Sequence, residues 1–132
     1  MTRFEIVDPE ELGRPSGFSH GVLAPAGGRV LFVAGQAAAD AGDLAAQFAA
    51  ALARALAVVR AAGGLPEHVT RLTIYVTDME AYRAARPRLA DPWREAMGRH
   101  YPAMALVEVR SLVDSGAVVE IEATAVLPSG SR

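Results

Sequence analysis

The chain contains no cysteine. That excludes a disulfide framework, a thiolate nucleophile and any cysteine-ligated metal. An excess of charge of either sign is also missing: 13 basic against 15 acidic residues leave a formal net charge of −2. No basic stripe is present, so nucleic acid is not an expected partner. Long uninterrupted apolar runs are lacking. The opening stretch MTRFEIVDPEELGRP has no signal-peptide core. The longest helical pattern is broken by Gln47, Arg54 and Arg60, which argues against a membrane span. His20, His68 and His100 are scattered, so neither a metal nor another cofactor is expected. What remains is a single cytoplasmic domain of 132 residues, without repeats or linkers.

Apolar material is what the chain has in abundance: 52% hydrophobic residues and a mean hydropathy of +0.20. Much of it is alanine, and the rest suits a buried interface. Arg3–Val7 is a short β-prone run. Phe18–Ala24 and Arg29–Ala34, on either side of Pro25-Ala26-Gly27-Gly28, read as a hairpin. Asp43 is a helix N-cap. Leu44, Phe48, Leu52, Leu56 and Val59 then form one apolar stripe, ended by Gly63-Gly64. Val69–Thr77 alternates as a strand. Asp78 caps a second helix over Met79–Gly98, which Pro87 and Pro92 must kink or split, with Leu89, Trp93 and Met97 turned inward. Residues 128–132 are a polar tail. The order β-β-β-α-β-α-β-β predicts an α+β fold, a mixed sheet with two helices on one face. The bare face then needs cover, which subunit association would supply.

The stretch His100–Val126 organises the rest. Ala103–Val109 is a strand with Met104, Leu106 and Glu108 on one face. Val118–Val126 is a second strand. Its Val119, Ile121, Ala123 and Ala125 form an apolar face, and Glu120, Glu122 and Thr124 point the other way. Glu120 is either a surface or interface carboxylate or, if that face lines a cleft, the best acid or base in the chain. Glu122 reads as serving the sheet. His20 shares a face with Phe18, and is a proton carrier at a cleft or an ordinary strand histidine. His68 and His100, at element ends, read as solvated. Arg86 is a solvated helix charge or a cation facing a cleft. Ser19-His20 makes no nucleophile–base pair, because adjacent strand residues point to opposite faces.

Several segments, in their order and spacing, resemble the RidA/YjgF family across nearly the whole chain. They are Phe32-Val33-Ala34-Gly35-Gln36, Ala61-Ala62-Gly63, Val76-Thr77-Asp78-Met79, Tyr101-Pro102-Ala103, Val107-Glu108-Val109 and Val119-Glu120-Ile121-Glu122-Ala123. The founding members of that family hydrolyse reactive 2-imino and 2-enamino acids. The resemblance implies a chorismate-mutase-like fold and a homotrimer around a central β-barrel, with ligand clefts between subunits. Phe18 matches an aromatic position where tyrosine is usual. Gly35 matches the strand-end glycine, preceded by Ala34 where serine is often found. Glu120 matches the carboxylate that holds the attacking water. Met104 departs from the pattern. Deaminase members carry arginine there, gripping the substrate carboxylate with a bidentate pair. A thioether gives a softer, more apolar wall, which Leu106 continues. Losing such a contact costs about 2–5 kcal/mol of binding.

The resemblance therefore implies a catalytic Glu120 and a ligand site of Phe18, Gly35, Arg86 and Met104, to which strand alternation adds His20 and Leu106. The expected function is hydrolysis or binding of a small reactive imine- or enamine-type metabolite, less anionic than an imino acid. Whether the protein is an enzyme stays open. The alternatives are a non-catalytic trimer that binds a small molecule or acts as a regulatory or chaperone-like partner, and a structural trimer with an inert cleft.

Overall fold

The computed structural model describes residues 3–129, so the last three residues of the polar tail lie outside it. Six strands and three α-helices follow the expected order. They are β1 (Glu5–Val7), β2 (Gly21–Leu23), β3 (Arg29–Gln36), α1 (Leu44–Ala61), β4 (Val69–Val76), α2 (Met79–Ala85), α3 (Ala90–Met97), β5 (Ala103–Glu108) and β6 (Val119–Leu127). Four strands form one sheet in the order β3-β6-β4-β5, with β4 and β5 parallel and the other pairs antiparallel. This is the mixed sheet of an α+β fold.

Local chemistry accounts for the helices. The Asp43 carboxylate accepts from the Ala46 N–H at 3.0 Å and caps α1. The five-residue stripe from Leu44 to Val59 is buried throughout. At its end Gly63 takes φ +89°, and the Gly63 and Gly64 N–H groups close on the Arg60 and Val59 carbonyls. Asp78 caps α2 by accepting from Ala81 N–H at 3.1 Å. The second helix is split, as its prolines require. Pro87 lies in a single 3₁₀ turn, Arg86–Arg88, between α2 and α3. Pro92 falls in the first turn of α3, where its missing N–H leaves no partner unsatisfied.

The core lies between α1 and the face of the sheet built by Val119, Ile121, Ala123 and Ala125 of β6, Leu72, Ile74 and Val76 of β4, and Val33 of β3. By length and composition alone α1 is long and apolar enough to cross a membrane, a test that a core helix also passes. Its apolar stripe instead packs on this sheet.

Two expectations are corrected. The hairpin of β2 with β3 does not form. β2 pairs antiparallel with β1, Glu5 opposite Leu23. β3 instead joins β6, where Leu31 and Val33 meet Ala125 and Ala123. An eight-residue ladder with an apolar face outweighs a three-residue one that begins at a glycine. His68 is not solvated. Only 8% of it is exposed, its ring stacks on Phe4 at 5.9 Å, and its Nδ1 accepts from Leu65 N–H at 3.0 Å. Burial holds its pKa below the usual histidine value. His100 is half-buried, its Nε2 2.6 Å from the Val69 carbonyl.

Candidate functional site

An open-sided cleft of about 750 Å³ lies where β5, the α2–α3 turn and the segment before β2 meet. Met104 and Leu106 form part of one wall, and Tyr82, Arg86 and Trp93 part of the other, with Phe18 at the border. The sequence places each of them there. Met104 and Leu106 sit opposite Leu72 and Ile74 in the parallel ladder, so both side chains take the helix side of the sheet. Ser19 pins the neighbouring segment to the start of β5. Its N–H donates to the Pro102 carbonyl at 3.1 Å and its hydroxyl to the Tyr101 carbonyl at 2.6 Å. Phe18 is thereby set at the cleft.

His20 stands outside the lining. Its ring meets Phe18 edge-on at 5.2 Å, and its backbone N–H donates to Asp8 Oδ1 at 2.7 Å. Its Nε2 is buried and has no partner among the described residues. The Ser19 hydroxyl is spent on a backbone carbonyl, so no nucleophile–base pair arises from these two residues.

Burial raises the pKa of Tyr82, and the nearby Arg86 guanidinium partly offsets that rise. The phenol is therefore a neutral donor at physiological pH. Arg86 itself has no ion pair among the described residues. Trp93 and Tyr101 both line the cleft, with rings stacked at 5.8 Å and 8° between their planes. Tyr82 and Arg94 were not singled out from the sequence, Tyr101 entered only within the family segment Tyr101-Pro102-Ala103, and Trp93 was expected only as a core contact. A signal was there: Tyr82, Arg86, Leu89 and Trp93 are spaced four, three and four, one stripe of a helical pattern.

Glu120 and Gly35 form a second group, on the opposite face of the sheet. Glu120 is paired with Tyr75 of β4, whereas Met104 is paired with Leu72. Three positions apart on one strand means opposite faces. The Glu120 carboxylate lies directly over Gly35, where the β3–β6 register shifts. A Cβ at position 35 would come within 2.9 Å of Glu120 Cδ, so any other residue there would push the carboxylate from this position. Beside it, the Tyr75 hydroxyl donates to Glu122 Oε2 at 3.0 Å, and this bond raises the Tyr75 pKa. Glu122 thus serves the sheet.

The chain brings Phe18, Arg86, Met104 and Leu106 together, and Glu120 with Gly35 separately. Chemically, the first group can recognise a ligand and the second can hold a water. Among the described residues no cluster of histidine and carboxylates could hold a metal ion.

Fold and site define an α+β domain of a four-stranded mixed sheet and a small two-stranded one, with helices on one face of the larger sheet and a cleft at its edge. The profile of the Endoribonuclease L-PSP family matches residues 11–127. The solved structure of YyfB from Yersinia pestis, of the conserved Rid protein family, is 35% identical with a TM-score of 0.82, covering 96% of this chain and 100% of that one. Rv2704 from Mycobacterium tuberculosis, of the YjgF/YER057c/UK114 family, is 32% identical with a TM-score of 0.65, covering 95% and 100%. TdcF from E. coli, solved with bound serine, shares the fold at 24% identity and a TM-score of 0.66, covering 86% and 91%. No curated protein matches the chain at a comparable level. The chain belongs to the RidA/YjgF/YER057c/UK114, or Endoribonuclease L-PSP, family.

Proposed function

We propose that copies of this chain associate, as a homotrimer, through the face of the sheet that α1 leaves open. Each cleft of one subunit then receives Glu120 and Gly35 of the next. One observation carries this reading. Within one chain the ligand-recognising group and Glu120 lie on opposite faces of the sheet, so only a second copy can bring them together. The open face also leaves Phe32 78% exposed and Val30 54% exposed, which suits burial by a partner.

In the assembled cleft a small reactive imine or enamine is bound, and Glu120 orients water toward its electrophilic carbon. The chain has neither cysteine nor lysine among its residues. A thiol adduct and a lysine Schiff base are therefore excluded, and attack by water is the route its side chains allow. Met104 stands where the family's deaminases carry their carboxylate-binding arginine. Recognition must therefore come from another wall. The serine held by TdcF is a small amino acid, and it supports a small-metabolite ligand here. The family description names an endoribonuclease. A net charge of −2 disfavours RNA, as do two histidines engaged in backbone hydrogen bonds.

The test is hydrolysis of freshly generated 2-iminopropionate and of bulkier imines. Glu120→Gln should abolish turnover while leaving the assembly intact by sedimentation. Retained turnover in that variant removes Glu120 from the mechanism. No turnover of any imine by wild type favours a non-catalytic binding role for the cleft.

A further inference from the structure

We infer that the cleft takes a small monoanion with a flat, apolar body, such as an aromatic carboxylate. Its charge would lie at Arg86 and its body against the Trp93–Tyr101 stack. This deepens the reading above and rests on its placement of the ligand in the cleft.

Charge is the first observation. Among the described residues that line the cleft, the only charged side chains are Arg86 and Arg94, and there is no aspartate or glutamate. Arg86 has no ion pair, and Arg94 has only a 3.7 Å contact to Asp91, both of them exposed. Such a contact contributes little. The Tyr82 phenol, kept protonated by burial, adds a further donor. A partly enclosed wall that offers two guanidinium groups attracts an anion even when the neighbour's Glu120 joins the cleft, because two cations then face one carboxylate. A guanidinium fork also suits a carboxylate in particular.

Placement is the second. Both cations stand on the helix wall, while Met104 and Leu106 make the strand wall apolar. An anionic group is therefore drawn to the α2–α3 side, and the remainder of the ligand lies toward thioether, aliphatic and aromatic surface. Shape is the third. Trp93 and Tyr101 present a stacked pair of nearly parallel rings, and Phe18 lines the same cleft. Flat rings pack on such surfaces with an offset or edge geometry. A volume of about 750 Å³ falls within the range of sites for whole metabolites. Trp93 Nε1–H is also buried with no acceptor among the described residues, so the indole has no polar partner of its own.

Trp93 is the only tryptophan in the chain, so its fluorescence reports occupancy of the cleft without any turnover. The probes are phenylacetate, propionate and phenylacetamide. The first has ring and charge, the second charge without a ring, the third a ring without charge. We expect saturable quenching by phenylacetate and at least about tenfold weaker binding of the other two, or ~1.4 kcal/mol. Arg86→Gln should weaken phenylacetate about tenfold and leave phenylacetamide unchanged. Arg86 is exposed, so the variant should fold as wild type does. Calorimetric titration of the same probes with Trp93→Phe checks that the quenching reports binding. Equal binding of phenylacetate and phenylacetamide, or no effect of Arg86→Gln, overturns the charge assignment. Equal binding of propionate and phenylacetate overturns the aromatic one. Either result, with imine turnover still dependent on Glu120, leaves the proposed function standing. Failure of every probe to bind, with no imine turned over, removes both.

Discussion

On one face of β6, Val119, Ile121, Ala123 and Ala125 lie beneath α1, each at most 6% exposed. On the other, Glu120 and Glu122 stand half-buried beside a ladder neighbour, Phe32, that is 78% exposed. The same nine residues therefore bound two environments. The covered face is dry and aliphatic, and its energetics belong to the single chain. The open face mixes carboxylates, a phenol and bare apolar groups, which is what a surface looks like when half of its contacts are missing. The difference teaches where stability and function are kept. The covered face holds the fold together. The open face holds Glu120 and, in the proposed assembly, its exposed valine and phenylalanine would bring Glu120 to a neighbour's cleft.

The sharpest way to break this comparison is to truncate one large side chain on each side. Leu52 is fully buried in α1, and Leu52→Ala should cost about 2–5 kcal/mol in chemical denaturation at any protein concentration. Phe32→Ser should leave the single chain nearly as stable. It should instead dissociate the assembly by sedimentation and remove the concentration dependence of Tm. A Phe32→Ser protein that keeps its size and its concentration dependence would put the assembly surface elsewhere. Gly35→Ala is the next test. The new methyl strikes the Glu120 carboxylate, the flexible end of a half-buried side chain, so the carboxylate is displaced at little cost in stability. Imine turnover should fall with it while α1 and its core stay intact by circular dichroism. Unchanged turnover would mean that the Glu120 position over Gly35 is not the working one.

Much of the covered face was legible in the sequence because its signals are local. The Leu44–Val59 stripe, the Asp43 and Asp78 caps, the glycine stop and the prolines that split the second helix each depend on residues within a turn or two. What could not be read is non-local. Strand propensity in Gly21–Leu23 says nothing of whether its partner is Glu5–Val7 or Arg29–Gln36. Alternation along β5 and β6 separated each strand's faces correctly. That Met104 and Glu120 fall on opposite sides follows only from their registers against β4. Phe18, Arg86 and Met104, taken from the family resemblance, and Leu106, taken from its spacing to Met104, line one cleft. Strand alternation placed His20 on the face of Phe18, and its ring packs on Phe18 from outside the lining.

His68 gives the smallest effect and a probe confined to the covered side, at the turn that feeds β4. Its Nδ1 accepts from the Leu65 N–H, so that nitrogen must be unprotonated in the fold. Adding a proton there breaks the bond and places a cation in a buried site against Phe4. Desolvation by burial is the main reason its pKa lies below 6.5, and neighbouring His100 adds to it. The unfolded chain, with an ordinary histidine, therefore takes up the proton first as pH falls. More protons on the unfolded state means that stability rises with pH. The full contribution is present above pH 6.5, is lost progressively below it, and levels off once pH passes the lowered value of the folded state. Denaturation midpoints between pH 7.5 and 5 should fall more steeply for wild type than for His68→Gln, which cannot titrate. Phe32→Ser should leave that difference unchanged, because His68 lies away from the open face. Equal slopes for wild type and His68→Gln would mean that the folded and unfolded chains bind this proton alike, so that neither the Leu65 bond nor the burial of the ring opposes it.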